Sequence, residues 1–88
     1  MWFITLLKFK RKPSKQDLAA FDKALAKARK SGLKLVGDYY TFGRFDDVII
    51  TQAPDDKTVM RFFLSLGDVA STETLRAVSQ KEGRRLLK

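Results

Sequence analysis

Residues 39–56, YYTFGRFDDVIITQAPDD, read as a strand, a glycine turn, a second strand and the start of a helix. Both strands carry apolar side chains in both phases of the two-residue repeat. One layer of helices covers only one face of a sheet, so the other face calls for a partner or a ligand. Residues 2–9, WFITLLKF, pose the same problem. Trp2, Ile4 and Leu6 point one way, and Phe3, Leu7 and Phe9 the other.

The rest of the chain supplies the helices. Pro13 breaks the first strand, and Ser14 is placed to cap a helix running to about Lys30. Leu18, Phe21, Leu25 and Ala28 share one face of it, with Lys23, Lys27 and Lys30 opposite. Ser31-Gly32 closes it. Residues 34–42 form a second strand, Gly43-Arg44 a turn, and residues 46–53 a third strand. Asp55 caps a second helix whose Val59, Phe62, Phe63 and Leu66 make an apolar stripe, ended by Gly67. Residues 69–78 form a fourth strand, and Ser79 with Glu82 opens a short basic tail helix, 80–87.

The order β-α-β-β-α-β predicts an α+β, ferredoxin-like domain spanning residues 1–88. Right-handed crossovers place both long helices on one face of a four-stranded antiparallel sheet. The chain contains neither cysteine nor histidine. Disulfides and thiolate metal sites are thereby excluded, and the commonest general base is missing. No metal site and no cofactor is expected. Any chemistry falls to carboxylates, tyrosines and arginines, or to a group brought in from outside. The apolar N-terminus is short and its charges, Lys8 to Lys12, follow it, the reverse of a signal peptide. With no run near the roughly 20 residues of a membrane span, a cytoplasmic protein is expected, with no membrane partner.

The net charge of +8 is uneven: residues 8–34 hold ten Lys/Arg and two Asp, while residues 35–88 balance eight against eight. A solvated lysine-rich face is the expected reading of this Lys8–Lys34 patch, and an anionic partner the alternative.

Candidate ligand-binding residues lie on the strands. Tyr39 and Tyr40 point to opposite faces, one toward the helices and the other free to place a phenol in a pocket. Asp46 and Asp47 open the third strand. Asp46 is read as an anchor for turn amides or as a carboxylate at a pocket mouth. Adjacent strand residues face apart, which argues against an Asp46–Asp47 acid–base pair. Thr72, Thr74 and Arg76 share one face of the fourth strand, expected to be the open face, with Leu75 and Ala77 against the helices. That row suits an anionic or carbonyl ligand, or an ion pair across a subunit interface to Asp38, Asp46 or Asp47. Trp2 is expected to fill the core, with closing a pocket as its alternative.

The hairpin, with Tyr40, Gly43, Phe45 and Asp46, then Ala53-Pro54-Asp55, and then Thr72, Thr74, Leu75 and Arg76, resembles the GYD domain family. The likeness covers nearly the whole chain, most clearly residues 39–78. The signature tyrosine is Phe45 here, and a position often glutamate is Gln52; both changes remove an ionisable group. The resemblance implies a dimeric α+β barrel, in which two sheets pack face to face, and no particular reaction.

Three functions compete. The first is a homodimer, able to assemble further, that binds a small molecule between sheet and helices. A cofactor-free barrel enzyme of the oxygenase or isomerase type is its variant. The second is an RNA-binding module. The element order suits one, but its third strand should carry a basic-Gly-aromatic run where this chain has DDVIITQA, so nucleic acid is the weaker expectation. The third is a protein whose role is assembly alone.

Overall fold

The computed structural model describes residues 1–87, leaving the last residue of the expected domain, Lys88, outside the described residues. The elements run β1 (Trp2–Phe9), α1 (Lys15–Lys30), β2 (Lys34–Tyr40), β3 (Asp47–Gln52), α2 (Asp56–Leu64), β4 (Ala70–Ala77) and α3 (Gln80–Leu86). The strands form one antiparallel sheet in the order β2-β3-β1-β4. This is the ferredoxin-like α+β arrangement anticipated from the element order.

Local chemistry sets the helix boundaries. Ser14 Oγ accepts the Asp17 N–H at 3.1 Å, and the Asp17 carboxylate accepts the Ser14 N–H at 2.7 Å, a reciprocal cap for α1. The helix stops at Ser31 because Gly32 turns the chain at a φ of 96°, open to glycine without strain. Asp55 caps α2 by accepting the Thr58 N–H at 2.8 Å, and Ser79 caps α3 through the Glu82 N–H at 3.1 Å.

The core lies between the sheet and the two long helices. Phe3, Leu7 and Ile49 face Leu25 and Ala28 of α1 and Val59, Phe62 and Phe63 of α2. Phe62 meets Phe21 and Phe63 edge-on, with ring centroids 5.6 and 4.8 Å apart. In β1 the helix-facing phase is Phe3, Thr5 and Leu7, and in β3 it is Asp47, Ile49 and Thr51.

Several expectations are corrected. The β2–β3 connection is a loop over residues 41–46, tied by the Thr41 N–H to the Asp46 carbonyl at 3.0 Å and by the Thr41 hydroxyl to the Phe45 carbonyl at 2.8 Å. Phe42 and Asp46 therefore lie outside the strands. Trp2 belongs to the open face, in the phase opposite to buried Phe3, and Leu18 is half exposed on the outer part of α1.

The largest correction concerns β4. Its register pairs Thr72, Thr74 and Arg76 with Leu7, Thr5 and Phe3, and Glu73, Leu75 and Ala77 with Leu6, Ile4 and Trp2. Directly paired residues share a face. Thr72, Thr74 and Arg76 thus lie on the helix side, and Leu75 and Ala77 on the open side, the reverse of the expected assignment. The physical reason is that β4 is an edge strand and α2 leaves part of its helix-side face uncovered, so polar residues are tolerated there.

Candidate functional site

Between the N-terminal half of α1 and the β2–β3 side of the sheet lies a cleft of about 80 Å³. Leu7, Phe9, Leu18, Phe21, Leu66 and Val69 give it apolar walls. Its side-chain polar groups are the carboxyls of Asp17, Asp38 and Asp47 and the Tyr40 phenol. The hairpin positions three of these. Tyr40 pairs with Asp47 and Asp38 with Ile49, so all three point toward the helices. Asp38 and Asp47 are diagonal neighbours on that face, close enough to share a hydrogen bond.

Asp47 sits at the floor, 6% exposed, while Asp38 and Tyr40 stand at the open rim. Among the described residues no hydrogen-bond partner reaches the buried Asp47 Oδ1. Burial, and then the adjacent Asp38 carboxyl, push the Asp47 carboxyl up to about 8; the Val48 amide opposes this. Asp17 behaves in the opposite way. The Arg11 guanidinium and the Ser14 amide hold it well below the usual carboxylate range, so it is an ionised, already paired acid.

The sequence candidates do not converge on one place. Tyr40 joins the cleft. Tyr39 lies on the open face opposite Val48, its ring against Gly37, where an added Cβ would come within 2.8 Å of it. Asp46 fastens the loop to the end of β1 through the Phe9 N–H at 2.8 Å, with Lys8 3.7 Å away. Its carboxylate therefore grips a strand end rather than turn amides. Thr72, Thr74 and Arg76 line a separate groove of about 470 Å³ between α2 and β4, at the sheet edge remote from β2. Arg76 faces away from any partner that the open face could receive, so the expected ion pair across that face is not available to it. The Asp38–Asp47 pair escaped the sequence reading, although Asp47 stands in phase with Ile49 and Thr51 and Asp38 in phase with Tyr40.

Part of the basic patch is committed elsewhere. Arg11 pairs with Asp17 and approaches Asp68 at 3.8 Å, while Lys23, Lys27 and Arg61 border a shallow groove of about 360 Å³ between α1 and α2. On the opposite side of the sheet, Trp2, Ile4, Leu6, Val48, Ile50 and Leu75 form an apolar row, with Trp2 and Leu75 exposed and the other four half-buried. No group of three His, Cys, Asp or Glu side chains among the described residues could hold a metal ion. No described helix is long and apolar enough to cross a membrane.

No curated protein matches the chain. Among solved structures it is similar in fold to SCO4226 from Streptomyces coelicolor A3(2), at 14% identity and a TM-score of 0.58, over 88% of this chain and 98% of that one. The family model described as "GYD domain" matches residues 3–87. By that match over nearly its whole length, the chain belongs to the GYD domain family.

Proposed function

We propose that this protein is a homodimeric α+β barrel that binds a small molecule in the cleft between its sheet and helices. The observation that carries the binding reading is the cleft itself: apolar walls around a buried carboxyl whose Oδ1 has no donor among the described residues. Such a site is concave and apolar, with a few convergent polar groups, the usual form of a small-molecule pocket. The dimer reading draws its support from the apolar open face, whose burial against a second copy removes Trp2, Leu6, Ile50 and Leu75 from water. The raised Asp47 carboxyl favours the enzyme variant as the second reading, since a proton held near neutral pH serves acid–base chemistry. An RNA-binding role gains little. The open face of β3 presents Val48, Ile50 and Gln52, without stacking aromatics, and the helix-borne lysines lie on the other side of the molecule.

Native mass spectrometry of freshly purified protein at modest salt tests both parts. The expected result is a dimer carrying a discrete extra mass. A bare monomer at micromolar concentration overturns the dimer. A dimer that never carries a small molecule, and takes up none from a cell extract, overturns the binding reading.

A further inference from the structure

The side-chain groups that line the cleft have a one-sided chemistry. In a protein of net charge +8, its lining includes three aspartates and neither lysine nor arginine. Asp17 is already neutralised by Arg11, which leaves Asp38 and Asp47 as the available acceptors. Asp47 is 6% exposed and its Oδ1 accepts nothing from the described residues. A buried acceptor left in this way carries a desolvation cost that a donor relieves. An anionic guest is disfavoured by the second carboxyl, Asp38, at the rim of a site of low polarity. A neutral hydroxyl donates one hydrogen bond and leaves any negative charge on the pair uncompensated. A protonated amine brings up to three donors together with the opposite charge, enough to bridge both carboxyls.

We propose that the Asp38–Asp47 pair makes this cleft a receptor for the ammonium group of a small organic amine. The inference rests on the reading of the cleft as a binding site and names the class of its ligand. The ammonium sits between the two carboxyls. Tyr40 offers its hydroxyl oxygen as a further acceptor at the rim. The volume of about 80 Å³ takes the head group and its first carbons; the apolar remainder lies outward along Leu18, Phe21 and Pro13. Thr72, Thr74 and Arg76 play no part, because they line a different groove.

Amide NMR titrations of the full-length protein with three probes of one shape test this: benzylammonium, benzyl alcohol and benzoate. Benzylammonium is expected to shift the amides of Leu18, Phe21, Asp38 and Tyr40 saturably, while benzoate leaves them unmoved. Asp47→Asn, which removes a buried acid without removing volume, is expected to weaken benzylammonium by about tenfold or more and to leave benzyl alcohol unchanged. Asp38→Asn, at the exposed rim, provides a second variant with the same expected loss. If benzyl alcohol or benzoate binds the cleft as tightly as benzylammonium, or if both variants keep full affinity, the amine assignment is overturned while the cleft survives as a binding site. If none of the three probes moves the cleft resonances, the amine assignment and the binding reading beneath it both fall.

Discussion

Asp46 holds the end of β1 through Phe9. Its Oδ2 accepts the Phe9 N–H at 2.8 Å, and its own N–H donates to the Leu7 carbonyl at the same distance. Ladder pairing between β1 and β3 ends at Leu7 and Asp47, so the carboxylate takes over where the next strand residue is missing. Asp46→Ala should therefore lower stability by about 1–2 kcal/mol in urea unfolding, the value of a hydrogen bond to a charged acceptor. Lys8→Ala should change it by less than about 0.5 kcal/mol, because that ammonium is 3.7 Å away and well solvated. Equal losses for the two variants would assign the effect to charge rather than to the strand end.

Asp47 gives the protein a pH-dependent stability. Folded Asp47 keeps its proton up to about 8, whereas an aspartate in an unfolded chain releases it at roughly 3.9. Between those values the folded state binds more protons than the unfolded one. The contribution is thus complete below about pH 4 and is lost as pH rises through about 8. Asp47→Asn should flatten this decline and exceed the wild type by on the order of 2 kcal/mol above pH 8. Because the neighbouring Asp38 carboxyl helps to raise Asp47, Asp38→Asn should also shift the window. Unfolding midpoints measured across pH 4–9 decide the matter; parallel profiles for wild type and Asp47→Asn would place no buried proton there.

Two buried threonines on the helix side of the sheet should respond with opposite signs. Thr51 is fully buried, and among the described residues its hydroxyl has no partner. Thr51→Val removes that unsatisfied group at nearly constant volume and should raise stability by about 1 kcal/mol. Thr5 is equally buried but shares a hydrogen bond with the Thr74 hydroxyl at 2.9 Å. Thr5→Val should lower stability by about 0.5–1 kcal/mol, with Thr74 turning to solvent. Thermal melts of the two variants provide the comparison, and a loss for both would mean that the Thr51 hydroxyl has found a partner in solution.

Pairing of the open faces predicts a melting temperature that rises with protein concentration, since association stabilises the folded state by mass action. Ile50→Asp places a charge in the middle of that face. It should abolish the concentration dependence and give a monomer in light scattering. The cleft lies on the other side of the sheet, so the same variant should keep its probe binding. A concentration-independent wild-type melt would detach the apolar face from self-association.

The elements themselves were legible. Apolar residues in both phases of residues 2–9 mark β1 as a strand, although they did not tell Trp2 from Phe3 as the inner residue, and the stripe Val59, Phe62, Phe63 marks the inner face of α2. In β4 the pattern gives the wrong side. Both of its faces are largely exposed, so the polarity of Thr72, Thr74 and Arg76 does not report which way they turn. The candidate site was hidden for a different reason. A turn at Gly43-Arg44 already pairs Tyr40 with Asp47 and Asp38 with Ile49, as observed. What the two-residue repeat does not report is which face this row takes, because both strands carry apolar side chains in either phase.

The bulge in β2, between Leu35 and Gly37, has a consequence for the sheet's margins. Extra twist at one outer strand, and the charged Glu73 and Arg76 along the other, make both poor templates for an incoming strand. Lateral growth, the route to fibrils, is discouraged at each end. The greasy surface in the middle has no such protection. In the proposed homodimer a second copy covers it, and a face satisfied once in this way is used up, so the contact is self-limiting.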